Sequence, residues 1–112
     1  MSDDLLYITA TEALQRFADK SLSPLELLDA QISRAEATAK TVNAFTYTHF
    51  DEARELAEAA EARWAKSEPM GCLDGLPVAI KDESYIAGKP TSGGSLITKD
   101  TIAETTTPIN ER

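Results

Sequence analysis

Apolar residues recur at helical spacing through the first half of the chain, then give way to short runs and turn residues. Thr9-Ala10-Thr11-Glu12 has the form of a capping box, with the Thr9 hydroxyl placed to accept an early amide and Glu12 to reach back. Leu14, Phe17 and Ala18 follow on one face, and Glu12 with Arg16 makes a favourable i,i+4 pair, so the pattern predicts a short helix over about 10–19. Ser23-Pro24-Leu25-Glu26 is a stronger start: a capping Ser, Pro at the first helical position and Glu three residues after the cap. Leu25, Leu28, Ile32, Ala35 and Ala39 form a stripe behind it and predict a helix over about 24–40. A third face, Phe50, Ala53, Ala57, Ala60 and Trp64, predicts a helix from Phe50 up to the region of Pro69-Met70-Gly71. Glu52, Glu55 and Glu58 lie off that stripe and read as a solvated acidic face.

Two segments read as strands. Asn43 breaks the second helical pattern, and residues 44–48, Ala-Phe-Thr-Tyr-Thr, are rich in aromatic and β-branched types. After Asp74-Gly75 the run Leu76-Pro77-Val78-Ala79-Ile80 ends abruptly in Lys81-Asp82, as suits a strand buried on both faces. Strand, helix, strand predicts a right-handed βαβ unit with parallel strands. The fold class expected is therefore α/β: N-terminal helices plus a βαβ unit. Gly88, Pro90, Gly93 and Gly94 then punctuate a loop-like stretch, and Thr107-Pro108 opens a helix one turn before Arg112. A helix begun there suggests that residues 1–112 are the N-terminal part of a single larger domain. Open strand edges and uncovered apolar surface would then make the piece prone to self-association, a possible homo-oligomer.

Composition narrows the classes. A net charge of −8, from 19 acidic and 11 basic residues without an evident basic patch, opposes direct nucleic-acid binding and approach to an anionic membrane. The single cysteine, Cys72, cannot form an internal disulfide or a cysteine-based metal site. The start, Met1-Ser2-Asp3-Asp4-Leu5, lacks the basic and apolar regions of a secretory signal, and no run approaches the ~20 apolar residues of a membrane span, so a cytoplasmic location is expected. His49, the one histidine, falls between strand and helix and reads as structural or solvent-facing. With no second His or Cys at a suitable spacing there is no metal pattern. Trp64, closing its stripe, reads as a core or interface anchor.

Lys81 is the position where chemistry could sit. A lysine closing an apolar parallel strand lies where open α/β sheets carry their ligand sites. Burial there would disfavour the ammonium and turn the amine into a base. Spacing alone favours a plainer reading, a strand-end lysine paired with Asp82 or Glu83 and its head in water, because structural pairs outnumber catalytic ones. Asp82 and Glu83 point to opposite faces of an extended strand, which argues against a carboxylate pair sharing a proton. Ser92-Gly93-Gly94-Ser95 lacks the Gly-Lys-Ser/Thr ending of a phosphate loop.

The segment Gly71-Cys72-Leu73-Asp74-Gly75-Leu76-Pro77-Val78-Ala79-Ile80-Lys81-Asp82, followed by Gly88-Lys89-Pro90-Thr91-Ser92-Gly93-Gly94-Ser95, resembles the amidase signature family. The preceding helices and Asn43-Ala44-Phe45 also match that family's N-terminal layout. Cys72 stands where the family often has proline, and Glu83 where asparagine is frequent, which leaves the subfamily open. The resemblance implies a large mixed sheet covered by helices and hydrolysis of a carboxylic amide to acid plus ammonia or amine, with no metal or organic cofactor. It implies that Lys81 is the base of a Ser–cis-Ser–Lys triad, acting on a small-molecule amide substrate. The bridging and nucleophilic serines belong to a later Gly/Ser-rich segment, in a C-terminal part that this chain does not contain. Ser95 follows the lysine too closely to be the nucleophile. Two other readings stand beside this one: the component that releases ammonia for transamidation of misacylated transfer RNA, and a short non-catalytic interaction module derived from an amidase.

Overall fold

Each of the first two helices begins at the capping residue that the sequence supplies. The computed structural model describes residues 3–112, with side chains from Leu5 onward. A single 3-10 turn, Asp3–Leu6, leads to α1 (Ala10–Ala18). Thr9 sits in extended backbone and its hydroxyl accepts the Glu12 N–H at 3.1 Å. Helix α2 (Pro24–Val42) starts the same way, with Ser23 Oγ accepting the Glu26 N–H at 3.0 Å and Pro24 in the first turn. Left-handed residues close both helices. Lys20 (φ 66°) lets Ser21 N–H reach back to the Arg16 carbonyl at 3.0 Å, and Asn43 (φ 49°) caps α2 on Ala39. Helix α3 (Phe50–Ala65) lacks a side-chain cap at His49, and Asp51 and Glu52 in its first turn favour the positive end of the helix instead. A final turn, α4 (Pro108–Glu111), follows Thr107.

The chain divides into two compact units, Met1–Pro77 and Val78–Arg112. In the first, Leu5, Ala13, Phe17, Leu22, Leu27 and Ala30 form the core, with Leu6, Ile8, Leu14, Trp64 and Leu76 packed on it. Trp64 therefore anchors the core, its ring tilted 52° to that of Phe17 with centroids 6.0 Å apart. The apolar faces differ in detail from the expected stripes. Helix α1 buries Ala13 and leaves Ala18 exposed, and α2 buries Leu27 and Ala30 while Ala39 faces solvent. The small residues Ala13 and Ala30 share the core with Phe17 and Trp64, a preference that a stripe of large residues does not announce.

Behind α3, Asp74 closes the unit. Both its oxygens hold the Arg63 guanidinium at 2.7 Å, and Oδ2 also accepts the Met70 N–H at 3.0 Å. The Trp64 indole N–H donates to the Asp74 carbonyl at 3.0 Å. The Arg63 bond foremost, helped by Met70 and opposed by burial, holds the Asp74 carboxyl below the usual carboxylate range. Because the native value lies below the unfolded one, the stabilisation is complete above about pH 4 and is lost as the pH falls through the native value. Urea midpoints measured from neutral to strongly acid pH are expected to fall in that window, and Asp74→Asn to flatten part of the fall. An acid limb unchanged in Asp74→Asn would place the titration elsewhere, Asp19 being another carboxyl that is lowered, by its bonds to Ser21.

The expected βαβ unit is not formed. Among the described residues there is no β-strand; residues 44–48 and 76–80 are irregular, and Val78 is 79% exposed. Strand propensity becomes a strand only where a second chain segment pairs with the backbone, and neither run has such a neighbour here. The fold of this chain is helical, and the open strand edges expected from the α/β reading are absent with it. In the second unit, backbone bonds from Gly88 N–H to the Ala103 carbonyl, Ala103 N–H to Lys89 and Thr91 N–H to Thr101 draw two loops together around one antiparallel bridge, Pro90 with Ile102. Thr107 caps nothing with its side chain because its hydroxyl is engaged by Tyr85, whose N–H it accepts at 3.0 Å. Leu96, Ile97 and Ile109 are left uncovered. Among the described residues no helix is long and apolar enough to cross a membrane.

Candidate functional site

Lys81 opens a turn. Its carbonyl accepts the N–H groups of Glu83 at 2.7 Å and Ser84 at 3.0 Å, so the backbone reverses immediately after it. The amine lies 3.1 Å from Glu83 Oε1, with the two side chains 78% and 64% exposed. The sheltered strand-end amine expected from the sequence is not found in this chain. With Val78, Ala79 and Ile80 exposed before it, there is no sheet edge to cover Lys81, and the amine takes a neighbouring carboxylate. An ion pair this exposed contributes little to stability and leaves the amine free to move.

The residue next to it is held firmly. Asp82 Oδ1 accepts the Ser92 N–H at 2.8 Å, Oδ2 accepts the Ser92 hydroxyl, and the Asp82 carbonyl accepts the Gly93 N–H at 2.9 Å. Ser92 Oγ in turn accepts the Gly94 N–H at 3.1 Å, and Thr98 donates its hydroxyl to the Ser92 carbonyl. Thr91 and Ser92 are both buried. Gly93 (φ 59°) and Gly94 (φ 74°) take left-handed backbone in succession, which explains why two glycines follow the serine. Sequence reasoning weighs Asp82 as a partner for Lys81 and, with Glu83, as one of a carboxylate pair, and not as a tie to Ser92. An Asp ten residues before Ser-Gly-Gly is the available signal, since short carboxylates commonly tie a turn through backbone N–H groups.

The remaining candidates have local roles. Ser95 Oγ accepts the Ile97 N–H at 3.2 Å and stiffens a turn. His49 is exposed, in a shallow polar depression with Glu36, Thr48, Phe50, Asp51, Glu52 and Arg54. Cys72 is exposed. Among the described residues no three His, Cys, Asp or Glu side chains are grouped to hold a metal ion. Lys81 and the Asp82–Ser92 junction are thus the part of the structure where a fixed turn presents an ionisable side chain to solvent.

The sequence model of the family described as Amidase matches residues 26–109, most of the chain and all of this junction. The chain belongs to the amidase family. Its similarity to individual members is consistent with that. It is 40% identical over 94 residues to a glutamyl-tRNA(Gln) amidotransferase subunit of Anaeromyxobacter sp. (strain K), a match that takes in 84% of this chain and 19% of that protein. It is 43% identical over 97 residues to the protein of the same name from Rhodopseudomonas palustris (strain BisB18), covering 87% of this chain and 19% of that one. A solved structure of a bacterial aryl acylamidase, described as belonging to the amidase signature enzymes, superposes with a TM-score of 0.79 at 33% identity, over 87% of this chain and 20% of the other. The amidase-family chain therefore spans about one fifth of the length of the relatives it matches.

Proposed function

We propose that these 112 residues supply the catalytic lysine, Lys81, to an amide hydrolase whose two serines lie in sequence outside them. The observation that carries this reading is Lys81-Asp82 inside the matched amidase segment, with the Asp82 side chain joined to the Ser92-Gly93-Gly94 turn of the same motif. The two halves of the motif, ten residues apart, meet in space. A serine hydroxyl is a weak nucleophile until a neighbouring base removes its proton. In the proposed reaction the nucleophilic serine passes its proton to a bridging serine, which passes its own to the Lys81 amine. The serine oxygen bonds to the amide carbon, the C–N bond breaks as the leaving nitrogen takes a proton, and water releases the acid from the acyl-enzyme.

The 112-residue chain alone is expected to show no amide turnover, since the acyl-accepting oxygen is not in it. Incubation of the purified chain with an anilide and with a primary amide, following release of aniline or ammonia, checks this. Sustained hydrolysis by the chain alone would overturn the assignment.

A second reading is favoured by the relatives named as amidotransferase components: an ammonia-releasing role in transamidation of misacylated transfer RNA. Both readings use the same lysine. Growth on an amide as sole nitrogen source supports the hydrolase; complementation of a transamidation defect supports the amidotransferase.

A further inference from the structure

We propose that Asp82 is a positioning residue for Lys81, its carboxylate and carbonyl fixing the turn from which the lysine amine swings. The inference rests on the reading of Lys81 as the base. Nothing in the lysine's own side chain holds it firmly, since it is exposed and its partner among the described residues is the exposed Glu83. Its backbone carbonyl closes a turn on Glu83 and Ser84, but that turn is local. Asp82 alone ties it to another part of the unit, through the Ser92 N–H, the Ser92 hydroxyl and the Gly93 N–H.

The carboxylate suits this junction better than its neighbours in size or charge. Ser92 presents two donors side by side, an N–H and an O–H, while its oxygen already accepts from Gly94. An ionised Asp offers two acceptor oxygens and meets both donors. Asn keeps one acceptor and sets an NH2 against the hydroxyl, whose proton then loses its partner. Glu is a methylene longer and displaces the turn. A base moved by about 1 Å loses on the order of 10²-fold in rate, so a junction that fixes the Lys81 Cα acts directly on the proton transfer.

The first measurement uses the 112-residue chain as it is. Asp82→Asn is expected to raise amide hydrogen exchange at Ser92, Gly93 and Gly94 while the amides of α1 to α3 keep their protection. Unchanged exchange at those three amides overturns the proposal. The second uses a polypeptide of the relatives' length carrying this segment. There Asp82→Asn is expected to lower kcat by roughly 10–100-fold with KM little changed, and the loss is expected to vanish in a Lys81→Ala background, because the aspartate acts through the lysine. An equal loss in both backgrounds would mean that Asp82 only holds the fold together, and the proposal fails. If Lys81→Ala itself keeps a normal kcat, it is the reading of Lys81 as base that falls, and the exchange result still stands as a separate test of the junction.

Discussion

Lys81→Ala, in a polypeptide that carries the whole amidase domain, is expected to lower kcat by about 10²–10⁴-fold, the contribution of one positioned proton acceptor, with the fold and KM little changed. Structure and chemistry make opposite forecasts for this residue, which is what gives the experiment its force. As a structural element Lys81 is one half of an exposed ion pair with Glu83, and deleting such a partner changes stability very little. As a base it accepts the proton without which the serine does not attack. Lys81→Arg separates the two readings further. Arginine keeps the pair with Glu83 but stays protonated, so it is expected to be as impaired as alanine. Burst kinetics with an activated anilide locate the defect, since loss of the base slows acyl-enzyme formation. A Lys81→Arg enzyme with near-normal kcat would reduce Lys81 to a surface ion pair.

The features legible in the sequence are those specified within a few residues. Thr9 and Ser23 each mark a helix start through a bond to the next turn, and Pro24 through its fixed backbone angle, and the structure begins α1 and α2 at those points. The two expected strands fail because a strand depends on a partner far along the chain. Phe45, Tyr47 and Val78 carry the preference, yet no β-strand forms at any of them, and Val78 is left in solvent. The candidate site divides along the same line. The position of Lys81 can be found from the motif, while its surroundings depend on the strand that does not form. The Asp82–Ser92 junction lies between these cases: it spans ten residues, and nothing in helical or strand periodicity reports a carboxylate folded back on a Ser-Gly-Gly turn.

Gly75→Ala is expected to destabilise the helical unit by about 2–5 kcal/mol, the sum of forcing a side chain into left-handed backbone and of overpacking a filled site. Gly75 has φ +87°, and a Cβ there would lie 2.7 Å from Pro24 Cγ, 3.1 Å from Pro24 Cβ and 3.3 Å from Trp64 Nε1. Neither neighbour can withdraw easily. Pro24 is fully buried in the first turn of α2, and the Trp64 indole is committed to the Asp74 carbonyl and packed on Phe17. A loss of that size is a large part of the ~5–15 kcal/mol that holds a typical domain folded. Trp64 is the sole tryptophan, so its fluorescence during urea unfolding reports on this unit directly. The steric share can be isolated by repeating the substitution in Pro24→Ala, which removes the ring: Gly75→Ala should then cost less, leaving mainly the backbone term. Equal costs in the two backgrounds would show that the proline is not what the methyl meets, and a Gly75→Ala protein with an unchanged urea midpoint would show that the turn after Asp74 yields without cost.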